Sequence, residues 1–311
     1  MRKIIVMLLG SLLFCGCLKN ENKEFVKVEI DQGIIVHGRP EKVTYFPYKP
    51  VEDENGNITK GELINKTIPN YFISEGFVLR FNKEGKHIQT NIYRMGDTLH
   101  YLLKKWEYLK NNQRKYTSYY PPYEEVDDMS IEKFDDSGNL IYESSYCPPC
   151  FDKNIKIKPS IEKFYSYDEK ESLINKKRYT YDYGLYNDQA GKITDSLITH
   201  FTPEYKNGKL YKNGGIKYIY EEDNLLKKIF EETGMYEEYY PNGMIKKSAL
   251  RENSYFEYNL DGYRIVRKFS KKHYVRNEYD RIDEYGNWTR VIIRENGKPV
   301  IYGERTIKYY N

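Results

Sequence analysis

The chain has 311 residues, enough for one large or two ordinary domains, so core size imposes no metal or disulfide staple. Apolar residues make up 39% and charged residues 31%, against about 45–50% and about 25% in ordinary soluble domains. That balance excludes a thick aliphatic core, and 34 Tyr with 13 Phe exclude wholesale disorder, because they supply aromatic area that solvated chains lack. The formal charge of +4 comes from 50 basic and 46 acidic residues and falls to +2 without Arg2 and Lys3. Lys268, Lys271, Lys272 and Arg276 are offset by Glu278, Asp280, Asp283 and Glu284, so no phosphate-tracking stripe points to nucleic acid as a partner.

The first element is an export signal. Arg2-Lys3 precede an apolar run from Ile4 to Phe14, broken only by Gly10 and Ser11, and Cys15-Gly16-Cys17 follow. At about 1.5 Å per helical residue the run spans roughly 16 Å, about half of the ~30 Å hydrocarbon core, which is short for a permanent membrane span. Cys17 directly after Gly16 resembles the bacterial lipobox, although the position three before the cysteine, usually aliphatic, is Phe14 here. Cys15 is a poorer acceptor because the bulky Phe14 precedes it. The resemblance implies that residues 1–16 are a lipoprotein signal peptide. It also implies that Cys17 becomes the first mature residue, carrying diacylglycerol and a palmitate-type acyl chain. Residues 17–24, polar and aperiodic, read as the lipidated tether. One acyl chain binds membranes only marginally, so the three chains typical of this modification would hold the body permanently. The expected address is the cell membrane or outer membrane, with the body periplasmic or surface-exposed.

From residue 25 to 311 the chain reads as repeated hairpins. Phe81-Asn82-Lys83-Glu84-Gly85, Phe134-Asp135-Asp136-Ser137-Gly138 and Tyr258-Asn259-Leu260-Asp261-Gly262 share an aromatic, three mostly polar residues and a glycine. Tyr240-Pro241-Asn242-Gly243 reads as one residue shorter, and Ile282-Asp283-Glu284-Tyr285-Gly286 replaces the aromatic. Tyr167 to Glu171 and Tyr220 to Asn224 keep the rhythm without glycine. Gly85, Gly138, Gly243, Gly262 and Gly286 are therefore the expected turn residues, supplying the positive φ of tight turns. An apolar residue follows each turn: Ile88, Leu140, Leu173, Leu225, Ile245 or Trp288. The flanks alternate Tyr, Thr and Ile with polar residues, as in Arg178-Tyr179-Thr180-Tyr181-Asp182-Tyr183, which suits half-buried strands. Leu99 to Leu109 reads equally as a short helix or a strand.

These segments resemble the YD (Rhs-type) repeat lipoproteins of bacteria, particularly those of the Bacteroidetes. Lys42-Val43-Thr44-Tyr45 with Asn55 to Glu62 resembles their opening unit; Asp283 to Thr289 with Asn296-Gly297-Lys298-Pro299-Val300 resembles their closing one. The likeness covers most of residues 40–311, least clearly the loop-rich stretch 110–160. It implies an all-β fold: an extended, twisted antiparallel sheet of successive β-hairpins, able to curl into a partial shell. Rhs-type shells also enclose toxin domains, but the repeat pattern runs to Tyr309-Tyr310-Asn311, so a toxin segment is not expected.

Chemistry has one sharp motif, Cys147-Pro148-Pro149-Cys150. In an exported protein such a pair tends to oxidise to a loop disulfide; free or metal-linked thiols and a thioredoxin-like redox pair are the alternatives, the last lacking the helix that normally follows it. His37, His87, His100, His200 and His273 share no metal-ligand spacing, and no nucleophile elbow or phosphate loop occurs. Paired aspartates such as Asp127-Asp128 and Asp135-Asp136 fall in loops or turns. The expectation is a non-enzymatic, lipid-anchored envelope protein without cofactor or metal, binding a protein or glycan or serving a structural role. The competing class is a thiol-disulfide oxidoreductase at Cys147 and Cys150.

Overall fold

The computed structural model describes residues 25–27, 35–64, 76–93, 100–120, 125–146, 159–181, 192–251 and 253–310. Cys17, Cys147 and Cys150 lie outside the described residues. The first strands in chain order are β1 (Phe25–Lys27), β2 (Ile35–His37), β3 (Pro40–Glu52), β4 (Ile58–Leu63), β5 (Phe77–Phe81) and β6 (His87–Tyr93). Next come β7 (His100–Leu109), β8 (Gln113–Tyr120), β9 (Glu125–Phe134), β10 (Leu140–Tyr146), β11 (Ile161–Tyr167), β12 (Leu173–Tyr181), β13 (Ile193–His200), β14 (Glu204–Lys206) and β15 (Lys209–Asn213). The remainder are β16 (Ile216–Glu221), β17 (Asn224–Phe230), β18 (Met235–Tyr239), β19 (Ile245–Arg251), β20 (Ser254–Tyr258), β21 (Arg264–Ser270), β22 (His273–Ile282), β23 (Trp288–Glu295) and β24 (Lys298–Tyr309). No helix occurs among the described residues, and strand pairing is antiparallel. The all-β sheet of successive hairpins is therefore the fold of this chain.

The strands fall into two units: Leu102–Gly215, and a second that joins residues up to Tyr101 to Ile216–Asn311. In the first, β7 to β13 pair in sequence order and β14 pairs with β15. The helix alternative at 99–109 loses to β7. Its Trp106 lies opposite Tyr116 of β8 with ring centroids 5.5 Å apart, an aromatic cross-strand contact that local helix propensity cannot match.

In the second unit β16 to β24 also pair in order, but β3 departs from a simple meander. Its long edge pairs with β5 over Lys42–Tyr45 and with β4 from Tyr48 onward, while its other edge pairs with β24. Eight residue pairs, from Tyr302↔Tyr48 to Tyr309↔Pro40, thus join the last strand to the early one. The core of this unit is partly aliphatic, contrary to the expectation from composition: Val43, Val78, Leu79, Val291, Ile293 and Ile301 are buried, together with Tyr45, Phe81, Tyr263 and Trp288. The few branched aliphatics are concentrated where β3, β5, β23 and β24 meet, so the whole-chain average hides them.

One five-residue turn recurs at 53–57, 82–86, 135–139, 168–172, 259–263 and 283–287. Its first residue, Asp or Asn, donates its N–H to the fifth carbonyl at 2.8–2.9 Å and accepts the fourth N–H at 2.9–3.0 Å. Its side-chain oxygen takes the fifth N–H at 2.8 Å. This is an Asx-type closure, in which the side chain replaces a missing backbone partner. The turn at 240–244 has the same length and backbone bonds, with Tyr240 in the Asp position, so it is not one residue shorter; its leading aromatic is Tyr239. Tyr220 to Asn224 is a different turn, in which Glu221 pairs directly with Asn224.

The fourth position always has positive φ, and at 168–172 it is Glu171, at +62°. A side chain there costs roughly 1–2 kcal/mol, more than glycine's extra unfolded-state entropy. Glu171→Gly is therefore expected to raise the unfolding free energy by about 0.5–1 kcal/mol, read as a higher urea midpoint at constant slope.

Candidate functional site

All five expected glycines occupy the fourth turn position, with φ of +75° at Gly85, +88° at Gly138, +82° at Gly243 and Gly262, and +85° at Gly286. Tyrosines then tie one turn to the next. Tyr240 donates its hydroxyl to the carbonyl of Tyr258 at 2.8 Å, Tyr263 to that of Gly286 at 3.0 Å, and Tyr310 to that of Phe81 at 2.6 Å. In the first unit Tyr167 reaches the carbonyl of Leu140 at 2.8 Å, and Tyr205 bonds Asp168 at 2.5 Å and Ser172 at 2.8 Å. Partial burial alone would raise the Asp168 carboxyl. The Tyr205 hydroxyl and the Ser172 and Lys170 amides outweigh it and hold the group below its ordinary value. A depressed carboxyl adds stability above the unfolded-state pKa of about 4, and this is lost as pH falls through the folded value. In these turns the Asp or Asn closes the loop, and a tyrosine hydroxyl ties it to a neighbouring segment.

Strand β2 packs against this tier. Asn287, fully buried, accepts the His37 N–H at 2.7 Å and donates to the His37 carbonyl at 3.0 Å and to the Tyr309 hydroxyl at 2.7 Å. Ile35 lies against Gly262, and the His37 ring meets Tyr263 edge-on at 5.9 Å. Beneath it, buried Arg305 sits 3.9 Å above the Trp288 ring and donates to the Trp288 carbonyl. Burial depresses its pKa, with Tyr263, Tyr279 and Tyr309 opposing. Burial likewise pushes Tyr263 and Tyr279 up to about 12. Tyr218, Lys228 and Tyr239 form a second buried polar group, in which Lys228 lies 3.8 Å from Glu237 and is depressed by burial. These are packed interiors, with aromatic faces taking the place of solvent around the cations.

The first unit carries two contrasting sheet faces. On one, a single register line runs Arg114–Glu132–Glu143–Lys163–Arg178 across β8 to β12. Arg114 and Glu132 form a buried pair at 2.6 Å; Glu143 accepts from Lys163 at 2.7 Å and from the Tyr165 hydroxyl at 3.0 Å. Two carboxylates face each other across β9 and β10, and each is paired with its own cation. On the other face Tyr142, Phe164 and Tyr179 form an aromatic run, with ring centroids 5.1 and 6.0 Å apart. Glu162 lies beside it, taking the Tyr142 hydroxyl at 2.6 Å and the Tyr181 hydroxyl. Phe164 is 38% exposed, and Ile198, two strands away in the same register line, is 49% exposed.

The histidines do not converge: His87 contacts Thr90, His200 meets Asn175, and His273 pairs with Glu295 at 2.6 Å. No group of three metal-binding side chains forms among the described residues. Sequence reasoning missed Arg114–Glu132, Lys228–Glu237 and Asn287. Only the last had a local signal, as the residue after the turn glycine at 286.

No family model matches the chain, and no curated protein matches it. Among solved structures, a porin-like protein from Bacteroides uniformis is 11% identical, with 86% of this chain and 98% of that one covered and a TM-score of 0.33. A Bacteroides fragilis protein of unknown function is 13% identical over 40% of this chain and 93% of its own, at 0.29. The Tc holotoxin pore of Photorhabdus luminescens is 11% identical over 82% of this chain and 15% of its own, at 0.24. At such scores none of these likenesses assigns an activity or a partner.

Proposed function

We propose that this chain is a lipid-anchored cell-envelope repeat protein whose β body binds a protein or glycan partner without catalysing a reaction. The observation that carries the binding role is the aromatic run of Tyr142, Phe164 and Tyr179, continued by Ile198. Other parts of the sheet surface carry paired charges, such as Lys227–Glu238 at 3.2 Å and Lys247–Glu257 at 3.7 Å. Rings beside a fixed carboxylate suit a ligand with both an apolar face and hydroxyls. The anchoring role is supported by Cys17 behind its export signal, with β2, soon after the tether, built into the turn tier.

Two measurements test the two halves separately. Cys17→Ser expressed in the native host is expected to lose labelled palmitate and to move from the membrane to the soluble fraction; an unlabelled wild-type protein would overturn the anchor. The full chain in detergent is expected to retain envelope glycan or protein on a pull-down, and Phe164→Ala with Tyr179→Ala to reduce that retention about tenfold. Equal retention by both forms would overturn the aromatic face as the binding surface.

A further inference from the structure

Several strand cations are matched by carboxylates, as in Arg114–Glu132, Lys163–Glu143, Lys227–Glu238 and Arg294–Glu278. Strand β12 carries two that are not. Lys176 and Arg178 project from the same face, two residues apart, and neither has a carboxylate partner among the described residues. Lys163 lies directly across from Arg178, but its ammonium is engaged by Glu143. The Lys176 ammonium lies 5.8 Å from the Tyr165 ring centroid; burial and the repulsion of Lys163 and Arg178 lower its pKa against the attraction of Glu143. Asp195 of β13, opposite Thr180, is exposed and makes no ion pair with Arg178 among the described residues.

Two further atoms point the same way. Arg178 Nε and Thr180 Oγ1, adjacent on that face, are shielded from solvent and have no hydrogen-bond partner among the described residues. Among the described residues, three cations around one carboxylate, with two idle hydrogen-bonding atoms among them, lack a further acceptor carrying negative charge. A planar guanidinium beside an ammonium and a hydroxyl is the donor set that recognises an oxyanion.

We propose that Lys176, Arg178 and Thr180, backed by Lys163, form a binding site for an oxyanion, either the carboxylate of an acidic saccharide or a phosphate group. The site lies on the opposite face of β12 from the Tyr179 aromatic run, so it stands apart from the binding surface described above. Trigalacturonic acid and inorganic phosphate, titrated calorimetrically into the detergent-solubilised full chain, separate the two sources. At least one probe is expected to bind, more weakly as NaCl is raised. Lys176→Met with Arg178→Met is expected to weaken that binding at least tenfold, while Lys227→Met, on the paired ladder of the other unit, leaves it unchanged. The double variant removes two repelling charges and is expected to melt no lower than wild type. Should it fail to fold, Thr180→Val alone, expected to weaken binding about threefold, decides the matter. Failure of both probes to bind wild type at millimolar concentration, or unaltered binding by the variants, would overturn the site.

Discussion

Asn287→Ala is expected to lower the unfolding free energy by about 3 kcal/mol, the sum of several buried hydrogen bonds withdrawn together. The side chain is completely buried and holds both backbone groups of His37 and the Tyr309 hydroxyl at 2.7–3.0 Å. Alanine would leave a void where the amide stood and withdraw a partner from each of those groups at once. Asn287→Asp keeps the acceptor for the His37 N–H but loses the donor to its carbonyl. It also sets a second carboxylate near Asp283, whose own oxygen takes the Tyr309 hydroxyl, and is expected to be nearly as costly. Urea unfolding checks both. A midpoint equal to wild type would mean that β2 is not seated on the 283–287 turn in solution.

Gly303→Ala is expected to cost about 3 kcal/mol through overpacking rather than backbone strain. Its added Cβ would lie 2.6 Å from the Tyr45 hydroxyl, 2.7 Å from Tyr45 Cε2 and 2.8 Å from Val291 Cγ1. Tyr45 cannot step aside: it is fully buried, stacked on Phe77 at 5.0 Å and edge-on to Trp288 at 6.1 Å. Gly208→Ala provides the contrast, because there no atom lies within 4 Å and only the φ of +76° opposes a side chain, at about 1 kcal/mol. Combining Gly303→Ala with Tyr45→Phe removes the hydroxyl contact and is expected to recover part of the loss, a coupling that a double-mutant cycle measures. Equal unfolding midpoints for Gly303→Ala and Gly208→Ala would refute the close approach.

What could be read from the sequence follows from how far apart the interacting residues are. The turns at Gly85, Gly138, Gly262 and Gly286 were legible because the Asp or Asn, the glycine and the closing amide all lie within five residues. Tyr240 was misplaced because a tyrosine can occupy the Asp position when Asn242 supplies a side-chain acceptor for Met244 from inside the turn. After the 82–86 turn it is His87, opposite Phe81, and not Ile88, that is buried, since the register shift at Phe81 is set by the pairing of β5 with β6. The Arg114–Glu132–Glu143–Lys163–Arg178 line was invisible: each member looks like an ordinary surface charge until five strands are brought into register. The β3–β24 pairing was hidden for the same reason, across some 250 residues.

That pairing also dictates an order of events. During synthesis β3 emerges some 250 residues ahead of β24, the strand that pairs with its edge, so that edge waits unpaired until β24 has been made. Long-range closure of this kind is slow and leaves an aggregation-prone edge in the interval. A chain cut short of Lys298 would keep this seam open and exposed to proteolysis and aggregation.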